Sequence, residues 1–429
     1  MRPVPRDSGR SARRDEGART AIIQSGGGAK GAYALGVMRA VLSGASPATR
    51  YQPIDPHVYT GTSVGAYNAA IMASQPGVPP LQTLDALIQI WRQQIANIPG
   101  GCGNGVFRLR GLPIQELEPA CFLEPVSAFT QFSLDWVYLA NQAMIRMARF
   151  ATSDLPLPGR LLDAPDISAF FDPQPLRELV WGTVDIEGLR RSSKELAVAT
   201  SSWQDGMTKI FWKQEIVEHR ELDAILASAA VPGVFPVVEI HGVPYVDGAL
   251  TMNTPLKPAI RAGANVLHVI YLDPLVENSE PPRYPSTFEY IARVFSILAA
   301  EQIRTDIRKA QRINEGLALL RGQRVAGDTG DLLRRLPVVL ELQRRMQREP
   351  KRRLIIHRYL PGGTLAGGAD LLNFNIDHIE ALIEQGYRDA VEHDCSVSDC
   401  LTDDDDSPDE ARRRRPHPDE DERERIGIL

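Results

Sequence analysis

Ser63 sits in the pentapeptide Gly61-Thr62-Ser63-Val64-Gly65, and a glycine triplet, Gly26-Gly27-Gly28, lies upstream of it. A serine with glycines at both ±2 positions suits a sharp strand-to-helix turn that leaves the hydroxyl exposed, because residues without side-chain bulk tolerate the bend. A glycine-rich stretch opening a second helix offers bare backbone N–H groups to a developing oxyanion. A nucleophile and a charge sink together point to acyl transfer.

A serine hydroxyl needs a proton acceptor within hydrogen-bond reach. Eight histidines are present, and none stands out. His57 precedes a strand, His268 falls inside a strand expected to be buried, His241 lies in a hairpin turn and His417 in a polar tail. His219, His357, His378 and His393 adjoin no glycine-rich turn and read as structural or solvated. Asp247 does stand out. It follows Val243-Pro244-Tyr245-Val246 and precedes Gly248, at a strand end from which a carboxylate can reach across a sheet; an ordinary Asp-Gly turn is the competing explanation.

The elements that must position these groups follow from pattern. Thr20–Gln24 is a short β-rich run ending at Ser25 and the glycines, and Ala29–Leu42 has helical periodicity. Val58–Thr60 is a second strand, and Val64–Ser74 a small-residue helix closed by Pro76 and Gly77. Strand, glycine turn, helix, strand, serine turn, helix is the opening of a parallel α/β sheet, whose sites gather at the carboxyl ends of the strands. Strands are expected at Leu196–Thr200, Lys209–Trp212, Val237–Ile240, Pro244–Val246, Asn265–Leu272 and Arg353–His357, with a hairpin turn at His241-Gly242. Helices are expected at Glu221–Ala230, 286–320, 331–348 and Ile376–Glu392.

Residues 98–182 are rich in Pro, Gly and aromatics and read as an insertion, either covering the site or, the favoured alternative, forming an accessory helical patch. Residues 1–19 read as a disordered leader. Residues 396–429 carry 12 acidic and 6 basic side chains, which accounts for the whole net charge of −6 and leaves the body balanced. That tail is read as disordered, so the catalytic domain is expected over 20–395, with a further helical region at 280–350. The balanced body predicts no nucleic-acid partner. Cys102, Cys121, Cys395 and Cys400 include no CxxC pair and show no spacing with histidines that suggests a metal site, so a reduced, cytoplasmic protein without metal is expected. The chain has no run of about 18 apolar residues, so membrane contact would be peripheral. Residues 301–353 hold 14 basic and 7 acidic side chains. They could dock on anionic lipid, although a solvated helix face is the favoured reading.

The residues resemble the patatin-like phospholipases. The likeness rests on Gly26-Gly27-Gly28-Ala29-Lys30-Gly31, on Gly61-Thr62-Ser63-Val64-Gly65, on Ser228-Ala229-Ala230-Val231-Pro232-Gly233-Val234-Phe235-Pro236, and on Asp247-Gly248-Ala249 with Asn253-Thr254-Pro255. It implies a three-layer α/β fold, a central and mostly parallel sheet flanked by helices. It also implies a Ser–Asp dyad with Ser63 as nucleophile and Asp247 as base, and an oxyanion hole from Gly26, Gly27 and Gly28 with Lys30 nearby. Gly61, Gly65, Gly248 and Ala249 complete the motifs, Ala249 replacing a glycine common in the family. No cofactor is required, and the expected partner is lipid at a membrane surface. An aspartate near its reference pKa of about 3.9 is a poor base for a hydroxyl, so such a dyad demands a dry setting around Asp247.

Two other classes compete. A catalytically silent or effector-gated binding module would use the same fold, but the intact Ser63, Asp247 and glycines argue against it. Nucleotide binding at the triplet is disfavoured because Gly31-Ala32 stands where a magnesium-binding hydroxyl would be needed.

Overall fold

The computed structural model describes residues 18–96, 106–109, 125–152, 171–272, 287–320, 353–362, 365 and 371–402. The leader through 17, the helix expected at 331–348, much of the 98–182 insertion and the tail beyond 402 lie outside the described residues. So do Cys102 and Cys121.

The described strands are β1 (Thr20–Gln24), β2 (Val58–Thr62), β3 (Arg108–Leu109), β4 (Phe171–Asp172), β5 (Glu195–Ser202), β6 (Thr208–Trp212), β7 (Val238–Ile240), β8 (Val243–Asp247), β9 (Val266–Ile270) and β10 (Ile355–Tyr359). The α-helices are α1 (Gly31–Ser43), α2 (Val64–Ala73), α3 (Pro80–Ile90), α4 (Pro125–Thr152), α5 (Gln174–Thr183), α6 (Ile186–Arg191), α7 (Asp223–Ser228), α8 (Ala249–Met252), α9 (Leu256–Arg261), α10 (Thr287–Leu320) and α11 (Ile376–Val391). Eight strands form one sheet in the order β10-β9-β1-β2-β5-β8-β7, with β6 also on β5. The run from β10 to β5 is parallel, whereas β6, β7 and β8 join antiparallel. This is the expected α/β architecture.

Alternation along β1 builds the layers. Ile22 faces a core shared with α1, α2, α3 and α11, while Ala21 and Ile23 face a second core made with α9 and α10. Period-2 side-chain direction puts successive residues on opposite faces, so a strand covered on both sides is apolar throughout. The first core is closed by a near-contact of α1 with α11. A Cβ at Gly36 would lie 1.9 Å from Ile383 O, and one at Gly386 would lie 2.0 Å from Tyr33 O. Tyr33 Oη also donates to Asp389 at 3.0 Å.

The described ends of the insertion are rooted in the body. β3 and β4 pair antiparallel, and Phe107 and Phe171 meet Phe235, with ring centroids 6.2 and 6.0 Å away, in the Ser228–Pro236 block.

Two features of the C-terminal part differ from expectation. Residues 396–402, expected to begin a disordered tail, are folded: Leu401 pairs antiparallel with Ile356 of β10. Cys395 and Cys400, expected to lie apart from histidines, converge with His357 and His393, their ligand-type atoms all within 4.8 Å of one another. The local spacing conceals this because β10 supplies one histidine from a distant part of the chain.

Candidate active site

The pairing of β5 explains why positions 63 and 247 meet. Glu195–Ala199 pairs with β2, and Thr200–Ser202 pairs with β8. Because β6 takes one edge over Ala197–Ser201, β2 and β8 share the other edge and approach from opposite directions. Thr62 is registered on Ala199 and Asp247 on Thr200. The two strands thus end head to head, with Ser63 and Asp247 at the junction.

Ser63 occupies φ 55°, ψ −126°, a region that costs a non-glycine residue about 1–3 kcal/mol and persists only where its surroundings enforce it. The enforcing contacts are visible. Ser63 N–H donates to Ser228 Oγ at 2.8 Å, and Ser228 Oγ–H donates to Ala199 O at 2.6 Å. The flanking glycines permit a fold too tight for any side chain. A Cβ at Gly61 would stand 2.1 Å from Gly65 O, and one at Gly65 would stand 2.7 Å from the carbonyl oxygens of Gln24 and Ser25.

Asp247 is 1% exposed. Its backbone N–H donates to Ala230 O at 2.9 Å, and Gly248 N–H to Ser228 O at 3.3 Å. The Ser228–Ala230 segment therefore grips both halves of the junction. The carboxylate accepts the Ala249 N–H at 2.7 Å, and the Ser63 hydroxyl lies close enough to act on its charge. Burial pushes the Asp247 carboxyl up to about 7, although the Ala249 N–H and the nearby Ser63 hydroxyl pull the other way. A carboxylate with that affinity for protons can accept one from a hydroxyl near neutral pH. Gly248 packs against β5, where a Cβ would lie 2.2 Å from Ala199 O. Ala249 begins α8 and is only partly buried, so its methyl is accommodated.

The glycine loop lies against this pair. A Cβ at Gly26 would be 3.0 Å from Ser63 Cβ, and Gly26 N–H donates to Asn253 Oδ1 at 3.0 Å. Gly26 therefore anchors the loop, its N–H being taken by Asn253 and not, as expected, turned to an oxyanion. Gly28 has φ +57°, and a Cβ there would lie 2.2 Å from Leu371 O. Lys30 is buried at the start of α1. Gly31 allows that helix to abut Val64, since a Cβ would come within 2.4 Å of it. Two helix N-termini thus converge beside Ser63, an arrangement that favours negative charge.

Five further residues hold the site. Ser228 and Asn253 lie in the blocks quoted above, but residue type alone does not reveal that they fix backbone amides. Gln302 of α10 accepts Asn253 N–H at 2.8 Å, and a lone glutamine on an amphipathic helix carries no sequence signal. Thr60 and Thr62 hydroxyls donate to Pro255 O and Met252 O at 3.0 and 2.8 Å, stitching β2 to the same segment.

With this geometry in hand, comparison with known proteins is informative. The sequence profile of the family described as "Patatin-like phospholipase" matches residues 22–260, more than half of the chain. Among solved structures, VipD from Legionella pneumophila aligns with a TM-score of 0.31 and 13% identity, covering 92% of this chain and 74% of that one. That likeness is too slight to carry an argument. A search of curated proteins finds no match.

Proposed function

This chain belongs to the patatin-like phospholipase family, and from that membership we propose that it is a serine lipid acyl hydrolase cleaving carboxylic esters of phospholipids or related glycerolipids. The observation that carries this reading is the head-to-head meeting of β2 and β8 on β5, which brings the Ser63 turn to the buried carboxylate of Asp247.

In the proposed reaction Asp247 takes the Ser63 proton as Oγ attacks the ester carbonyl. The oxyanion settles on the Gly27 and Gly28 amides at the start of α1, where one donor is worth roughly 3–4 kcal/mol. The tetrahedral intermediate collapses, its C–O bond to the alcohol breaks, and Asp247 returns the proton to that leaving group. Water then attacks the acyl-enzyme with Asp247 again as base, releasing a carboxylic acid and restoring Ser63. The strained turn at Ser63 supports this role, because it presents the hydroxyl ahead of the helix N-terminus.

A lipid surface as the partner is supported by α4, on which Leu134, Trp136, Val137, Met144 and Met147 are more than half exposed. Exposed apolar side chains concentrated on one helix suit an interface with a lipid phase. Among the described residues no helix is long and apolar enough to cross a membrane, so contact is proposed as peripheral. A cytoplasmic location belongs to the same reading, since the four cysteines of the sequence include no CxxC pair and no disulfide-like framework.

The test is product analysis by mass spectrometry on a mixed lipid extract, with Ser63→Ala and Asp247→Asn beside the parent, and fluorophosphonate labelling mapped by peptide. Loss of fatty-acid release in both variants and a label on Ser63 are expected. Full esterase activity in Ser63→Ala would overturn the assignment.

A further inference from the structure

We propose that His357, His393, Cys395 and Cys400 form a tetrahedral site for a zinc ion that fastens the C-terminal segment to the edge of the sheet. Of the cluster His357 lies on β10, the other three follow α11, and β10 is separated from β2 by β9 and β1. Three strand spacings put His357 roughly 14 Å from β2, and Ser63 lies four residues further along from the position level with it, so the cluster is independent of the ester chemistry.

The distances suit a metal. Cys395 Sγ lies 3.5 Å from both His357 Nδ1 and His393 Nε2, and Cys400 Sγ lies 3.3 Å from His393 Nε2. With Zn–S near 2.3 Å and Zn–N near 2.0–2.1 Å, the edges of a tetrahedral site measure about 3.3–3.8 Å. Those three separations fall on such edges, and every pair stays within 4.8 Å. Two thiolates and two neutral imidazoles would cancel the charge of a divalent ion. That balance matters here because both histidines are buried. A mixed sulfur and imidazole set in tetrahedral array selects zinc over magnesium or calcium, which prefer oxygen.

The surrounding backbone is built to hold this arrangement. Cys400 N–H donates to Cys395 O at 2.9 Å, and Ser398 N–H to Asp394 O at 3.0 Å, which curls the loop so that both thiols face one way. Asp394 accepts Ser396 N–H at 2.8 Å within the same loop. Beyond it, Ile356 and Leu401 exchange two backbone bonds at 2.8 and 2.9 Å. Cys400 Sγ accepts Arg358 N–H at 3.2 Å, the kind of outer contact that steadies a metal-bound thiolate. The Arg358 guanidinium is buried and pairs with Asp399 at 3.8 Å. An aromatic wall completes the setting: His268 stacks on His357 at 5.1 Å and Tyr359 lies 4.7 Å from His393.

The ion would act as a staple. His393 lies just past α11, and α11 packs on α1, the helix that opens after the glycine loop. Binding at four points fixes the end of α11 against β10 without a disulfide, which suits a reducing compartment.

Metal content of the purified, reduced chain tests this directly. About one zinc per chain is expected, falling at least tenfold in the Cys395→Ser/Cys400→Ser double variant and unchanged in Ser63→Ala. Cobalt(II) added to chelator-stripped protein should give the intense visible bands of tetrahedral thiolate coordination. Stripping should lower Tm by about 5–10 °C, and zinc should restore it. Stripped parent protein that takes up neither zinc nor cobalt overturns the proposal. So does a Cys395–Cys400 disulfide in native, metal-free protein. Should the double variant fail to fold, His357→Ala and the parent titration still decide the matter.

Discussion

Asn253 Oδ1 accepts the Gly26 N–H at 3.0 Å across 227 positions of sequence, and Asn253 is itself held through its N–H by Gln302. This chain of bonds sets the direction of the glycine loop without touching a substrate. Asn253→Ala should leave the fold intact and lower kcat about 10–100-fold with little change in KM, the loss of a buried hydrogen bond being worth about 1–3 kcal/mol. Steady-state kinetics on a soluble ester separate the two parameters. A rise in KM alone would show that the loop binds substrate uniformly instead of favouring the transition state.

Ser228 is the corresponding brace for the Ser63 turn. Removing its hydroxyl orphans the Ser63 N–H and the Ala199 carbonyl together. Ser228→Ala should cost about 1–3 kcal/mol in denaturant unfolding and slow fluorophosphonate labelling at least tenfold. Unchanged labelling would mean that the turn at Ser63 needs no such support.

Activity should follow the ionisation of Asp247, rising with pH through about 7. Stability should run the opposite way. The folded state holds this proton more tightly than the unfolded chain, whose carboxyl titrates near 3.8. The folded protein therefore gains nothing from this group above about pH 7 and most below about pH 4. Asp247→Asn abolishes activity but removes the burden of a buried charge, so near pH ~8 it should be more stable than the parent by on the order of 1–4 kcal/mol. The gap should close toward pH ~4, which thermal melts across that range would measure.

Gly65→Ala and Gly182→Ala separate packing from propensity. A methyl at Gly65 meets two backbone carbonyls, whereas one at Gly182 meets nothing within 4 Å. The first should cost more than about 3 kcal/mol or prevent folding. The second, inside α5, should stabilise by about 0.5–1 kcal/mol. Chemical denaturation of both variants checks the contrast.

These residues also show how far the sequence carried. The strand-turn-helix units around Gly26–Gly28 and Ser63 were legible because glycine spacing and apolar periodicity are local. So was the hairpin at His241-Gly242, where both residues have positive φ. Strand β10 begins at Ile355, two residues later than its apolar pattern suggests. The backbone N–H and C=O of Leu354 are taken by the Asn314 side chain, not by a neighbouring strand. The helix expected at Glu221–Ala230 shortens to Asp223–Ser228, and beyond it the carbonyl of Ala230 is used to hold Asp247. Gln302 and the His–Cys cluster escaped for the same reason: their partners come from distant segments, and no period or short spacing encodes that meeting.

The head-to-head junction of β2 and β8 has a consequence for when the protein becomes dangerous to lipid. Under the proposed mechanism a nascent or truncated chain lacking β8 owns a nucleophile with nothing to deprotonate it. Hydrolytic power therefore waits until β8 has docked on β5, so membranes near a ribosome or chaperone are spared by copies that have not reached that stage. Turnover of ester becomes a gauge of that docking.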